Sequence, residues 1–179
     1  MTRPTHYFVN ADGEASRVFA DGYPPESLVP LPDGHWDNPK RWDHVAQEWR
    51  EDLEGERTRI WEQVKAQRGA ILTGGCNTPI GRVDTDLASL NAIDRLVAAA
   101  LADPAGWSDV FTTANDNDPP NSDEPVDHDA MLAIKAAVVA HEQAARAAAR
   151  DVRDELYDEN VTTLALLYAV PTDLAERLT

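Results

Sequence analysis

The chain has 179 residues, a formal charge of −16 and 42% hydrophobic residues, enough for a core, and its length fits one domain with appendages or one small domain plus a long arm. Phosphate contacts need clustered Lys and Arg, so this charge argues against direct nucleic-acid binding and points to a solvated surface or a basic partner. The lone Cys76 excludes an internal disulfide framework and a cysteine zinc site.

The first ten residues lack the apolar stretch and small-residue cleavage site of a signal peptide. No apolar run nears the roughly 18 residues that span a bilayer, so a soluble, cytoplasmic protein is expected. His6-Tyr7-Phe8-Val9, the turn sequence Asn10-Ala-Asp-Gly13 and Arg17-Val18-Phe19 predict a small antiparallel hairpin. Pro24, Pro25, Pro30 and Pro32 follow and predict an extended arm rather than more sheet. Residues 1–36 are thus read as a hairpin and Pro-rich arm.

Asp37-Asn38-Pro39 reads as a helix start. Trp42, Val45, Trp49, Leu53, Ile60, Val64 and Ile71 recur at helical intervals, predicting one long helix. Gly55 inside it costs about 1 kcal/mol relative to Ala and marks a break near Leu53 to Glu56. Gly74-Gly75 stops the helix, and residues 78–83 suit a short strand. Asp84-Thr85-Asp86 offers N-caps for a helix with an apolar face at Leu90, Ile93, Val97 and Leu101.

Trp107 to Thr113 reads as a strand, and Asn115 to Pro125 as an acidic, Pro-rich exposed loop. Asp127 or Asp129 then caps a long helix whose apolar side is Met131, Ile134, Val138, Ala145, Val152 and Leu156. The apolar run Leu164 to Val170 either covers the core or anchors in a partner, and a terminal helical turn follows. The expected fold is α+β and mostly helical, with three or more helices, a few short antiparallel strands and the N-terminal arm. Residues 37–158 are read as the helical core domain and 159–179 as an apolar tail.

No catalytic constellation, cofactor loop or metal set emerges. His6, His35, His44, His128 and His141 form no metal-binding helical pair. Gly74-Gly75 with Gly81 lacks the phosphate-loop pattern, and Cys76 has no His placed to activate it. Asp116-Asn117-Asp118 invites a calcium reading, but Asn121 stands where an EF-hand has its sixth-position Gly. A non-catalytic protein without cofactor is expected.

Trp36, Trp42, Trp49 and Trp61 crowd the first third of the chain, with Trp42 and Trp49 one heptad apart. Core packing explains them, and so does a partner-binding ridge, since Trp is enriched in binding hot spots. Tyr7, Phe8, Trp36, Trp42 and Trp49 are the candidate partner-binding residues.

One resemblance bears on function. The helix RTRIWEQVKAQRGAIL with Gly74-Gly75, the Asp84-Thr85-Asp86 start of a helix with Ile93, the Trp107 to Asn115 segment and the Val126 to Ala149 helix with His141 carry it. This order resembles an uncharacterised domain family of tailed phages and prophages, whose genes lie among tail and tail-fibre genes. The front, YFVNADGEASRVF and its Pro-rich path, is similar to phage tail-fibre assembly proteins. The family usually carries an aromatic-containing turn where this chain has Cys76-Asn-Thr-Pro-Ile-Gly81. The resemblance implies a tail-fibre assembly factor or small tail subunit, located in the host cytoplasm during assembly or on the virion tail. Its implied partner is a tail or tail-fibre protein. From another class, the charge permits an acidic nucleic-acid mimic or host-factor inhibitor, though the densest acidic run falls in the Pro-rich segment.

Overall fold

The computed structural model describes residues 7–9, 15–17, 28–29, 40–43, 45–46, 48–114 and 121–178. It is an α+β structure, mostly helical, with short antiparallel strands, as the sequence predicts. Two compact units divide the chain: residues 1–61 with 155–171, and residues 62–154 with 172–179. The segment 159–179 contributes to both.

In the first unit, β1 (Tyr7–Val9) pairs antiparallel with β2 (Ala15–Arg17), a hairpin as expected but with its return strand starting two residues before the predicted Arg17-Val18-Phe19. The Pro-rich path does continue the sheet: β3 (Leu28–Val29) pairs with the other edge of β1. The prolines bracket these two residues and leave their own N–H groups available, so the pairing is not blocked.

The expected helix from Pro39 to Ile71 is the main correction. Its first third is a hairpin, β4 (Lys40–Asp43) and β5 (Glu48–Glu51), and only then does α1 (Leu53–Thr73) begin. Asp52 starts the helix, its Oδ1 accepting from Gly55 N at 3.0 Å. Val45, expected on an apolar helix face, stands 95% exposed at the hairpin turn. Residues 155–171, with the helix α4 (Leu164–Tyr168), complete the unit. Leu164 and Leu167 are buried, so that apolar run does contribute to the core.

In the second unit, α1 stops at Gly74-Gly75 as predicted, Gly75 having φ 86°. The single strand expected at 78–83 is a hairpin of β6 (Cys76–Thr78) and β7 (Gly81–Val83). Asp86 caps α2 (Leu87–Ala102), accepting from Ala88 N at 2.7 Å and Ser89 N at 3.0 Å. Of the predicted face of α2, Ile93 is buried and Leu90 and Val97 pack against the core, but Leu101 is 57% exposed and Ala100 takes the buried place at that end.

The strand predicted at 107–113 is β8 (Ser108–Ala114). Its partner β9 (Asn121–Asp127) occupies sequence expected to be loop. Pro125 is compatible with it because a two-stranded ribbon has only edge strands. Asp127 caps α3 (His128–Leu156), accepting from Ala130 N at 2.9 Å. All six residues predicted for its apolar side are buried. Cys76, Val83, Ile93, Ala100, Val126, Met131, Ile134 and Val138 form the core of this unit. The terminal turn α5 (Leu174–Arg177) adds buried Leu174, whose N donates to Gln67 Oε1 at 3.0 Å.

Candidate functional site

The β4–β5 hairpin brings two of the five candidate residues into contact. Register pairs Trp42 with Trp49, and their rings meet edge to face with centroids 5.5 Å apart. Both are half-buried, so each ring keeps part of its surface for solvent. The turn is fixed by Asp43, whose Oδ1 accepts from Val45 N and Ala46 N, each at 2.9 Å.

Flanking charges are placed to hold this register. Lys40 faces Glu51, but Arg41 faces Arg50 and Asp43 faces Glu48, two like-charge pairs that would repel. Arg50 answers both acids, with Nη1 3.1 Å from Asp43 and Nε donating to Glu48 at 2.9 Å. Arg41 lies 3.5 Å from Asp52 instead. The hydrogen bond from Arg50 to Glu48, with both acids' charges, raises the already high guanidinium pKa.

Tyr7 and Phe8 are successive residues of β1, the central strand of its sheet. Trp36 lies outside the described residues. Trp61 is half-buried on α1. Among the described residues the structure thus joins Trp42 to Trp49.

A buried ionic contact in the same unit escapes sequence reading. Glu56, 4% exposed, accepts from Arg59 Nε at 2.8 Å and also interacts with Tyr168. The Arg59 hydrogen bonds hold the Glu56 carboxyl below the usual carboxylate range, against the opposing effect of burial. Burial, followed by the Glu56 charge, pushes the Tyr168 phenol up. The (i, i+3) spacing of Glu56 and Arg59 is a signal, but such pairs are usually surface charge. Arg57 nearby stacks on the Tyr157 ring at 5.7 Å and donates to the Val161 carbonyl.

The second unit holds an apolar cleft of about 260 Å³ lined chiefly by Leu72, Leu87, Leu90, Val138, His141 and Glu142. His141 hydrogen-bonds the Ile71 carbonyl at 3.0 Å, satisfying an end carbonyl of α1. Thr85, also lining the cleft and buried, accepts from Gly75 N at 2.9 Å. These polar groups therefore serve the junction between α1 and α2. Leu87, 75% exposed, is the one large apolar side chain left open at its mouth.

Cys76 is buried, and burial pushes its thiol up, away from the thiolate a nucleophile needs. Among the described residues no group of three His, Cys, Asp or Glu side chains is placed to share a metal ion. The calcium candidates Asp116, Asn117 and Asp118 lie outside the described residues. No helix among the described residues is long and apolar enough to cross a membrane.

These features define a helical α+β protein with an aromatic hairpin leading into its first long helix. Residues 55–173 match the family model described as a domain of unknown function (DUF4376), and the chain belongs to that family. No curated protein and no solved structure matches the chain. The family match begins after β5, so the Trp42–Trp49 hairpin precedes the family domain.

Proposed function

We propose that this protein is a non-catalytic, phage tail-associated binding protein. It acts as a tail-fibre assembly factor or as a small structural subunit that stays on the tail or tail fibre. The observation that carries the reading is the partly exposed Trp42–Trp49 pair, held on a hairpin just ahead of the family domain. A partly exposed aromatic pair supplies large contact area at low conformational cost, which suits a contact surface. The genomic setting is what the resemblance of the helical part to the phage domain family implies, and the similarity of the front segment to tail-fibre assembly proteins points the same way. The charge of −16 fits a factor that must stay dissolved while it shields a sticky fibre segment.

Two measurements test this. Affinity purification of the full chain from phage-producing cells is expected to enrich a tail or tail-fibre protein. Mass spectrometry of purified virions then separates the versions: presence of the chain marks a structural subunit, and absence marks an assembly factor. A chain that is absent from virions and enriches no tail protein contradicts both.

A further inference from the structure

The β8–β9 ribbon turns six side chains of one face to solvent. Register sets Ser108, Val110 and Thr112 opposite Asp127, Pro125 and Asp123, and all six are exposed. The opposite face carries Phe111 and Val126 against the core and buries Thr113. A one-residue slip would reverse both faces, so this outward set is fixed by burial. At its centre Val110, 57% exposed, faces Pro125 across the ribbon.

Asp123 and Asp127 flank that apolar pair on one strand, roughly 13 Å apart at extended spacing. Both carboxylates are already oriented. Asp123 Oδ1 accepts from Thr112 Oγ1 at 2.8 Å, and Asp127 Oδ1 accepts from Ala130 N at 2.9 Å. Between Arg95 and Lys135 the sequence contains no Lys or Arg, and Lys135 is engaged with Asp94. The face is therefore acidic–apolar–acidic, with no cation of its own stretch to neutralise it.

We propose that this face binds an extended segment of a partner protein with basic–apolar–basic alternation. Side chains at i, i+2 and i+4 of an extended chain share one face. Two Lys or Arg at i and i+4 then lie about 13 Å apart, matching the two carboxylates, with the i+2 side chain over Val110 and Pro125. Neighbouring cations on a helix, at i and i+4, sit only about 5–6 Å apart and fit the spacing poorly. Pro125 offers no N–H at the strand edge, which favours docking on the face over strand addition. This surface is distinct from the tryptophan hairpin, and its test does not depend on a tail partner.

The probe is a blocked, labelled peptide containing Lys-Ser-Ile-Ser-Lys, titrated with the full chain at low salt and read by fluorescence anisotropy. An isomer containing Lys-Lys-Ser-Ser-Ile serves as its reference. The alternating peptide is expected to bind about fivefold more tightly than the isomer, two exposed ion pairs and one apolar contact being worth about that much. The preference should vanish in the D123N/D127N double variant. Asn preserves both the Thr112 contact and the helix cap, so the thermal midpoint should hold. V110T tests the apolar centre separately and should weaken the preference. Equal binding of the two peptides, no binding, or a preference that survives D123N/D127N overturns the proposal.

Discussion

Trp42 and Trp49 lie seven residues apart in sequence and face each other across the β4–β5 hairpin, ring edge to ring face at 5.5 Å. Such pairs contribute about 0.5–1.5 kcal/mol beyond the area they bury. A double-mutant cycle of W42A and W49A, followed by urea unfolding, should therefore give a coupling energy of about 1 kcal/mol. Strictly additive losses would mean that the rings do not meet.

The Glu56–Arg59 contact predicts an acid-sensitive component of stability. The folded-state pKa of Glu56 lies below its unfolded value. Its contribution is therefore present above about pH 4.3, the ordinary Glu value, and is lost as pH falls through the folded value. E56Q should lower stability at pH 7 by about 1–2 kcal/mol, the half-exposed Arg59 limiting the effect. Thermal midpoints recorded from pH 7 to pH 3 should converge for the two proteins at the acid end. Parallel curves would remove Glu56 as the titrating group.

Gly75 is the position where the end of α1 depends on glycine. Its φ is 86°, and a Cβ there would lie 2.8 Å from the Val83 carbonyl oxygen. G75A should destabilise by about 1–3 kcal/mol, seen as a lower urea midpoint with an unchanged slope. Gly69, with nothing within 4 Å of an added Cβ, is the matched control, and G69A should be neutral or mildly stabilising.

Cys76 is predicted to be a silent thiol. Buried beside Val83 in the core of the second unit, it should react with a thiol reagent only as fast as the unit opens. Labelling of the native chain should therefore be slow and accelerate sharply in denaturant. Rapid stoichiometric labelling of the native protein would contradict its placement.

The long helices are legible in the sequence because burial at three- and four-residue intervals leaves a clear periodic trace. Spacing alone places Met131, Ile134, Val138 and Val152 in the core, and residue type alone narrows the α2 cap to Asp84-Thr85-Asp86 and marks the Gly74-Gly75 stop. The Trp42–Trp49 region misleads for a physical reason. A separation of seven residues is two helical turns, but it is also a cross-strand pair around a short turn. The discriminating signal is the near-mirror order Lys-Arg-Trp-Asp and Glu-Trp-Arg-Glu, which places Trp opposite Trp. β9 is hidden because Pro and Asp oppose strand formation in general, while here Val126 and Glu124 take the inward positions and only the outward ones are Asp or Pro. Of the candidate site, Trp42 and Trp49 are legible as residues but not as a pair. The Glu56–Arg59–Tyr168 contact joins positions 112 residues apart (168 − 56), which no local pattern records.

The most direct test of a tail-binding role is quantitative co-purification of the tagged full chain from phage-producing cells, comparing wild type with W49A and V45D. Val45 stands 95% exposed on the hairpin turn, so V45D alters the proposed contact surface without touching a core. A tail or tail-fibre protein is expected to accompany the wild type and to be lost at least about tenfold in both variants, with V45D unchanged in thermal midpoint. Equal recovery of that protein with all three chains would place the contact elsewhere, and failure to recover any tail protein with the wild type would contradict the assignment itself.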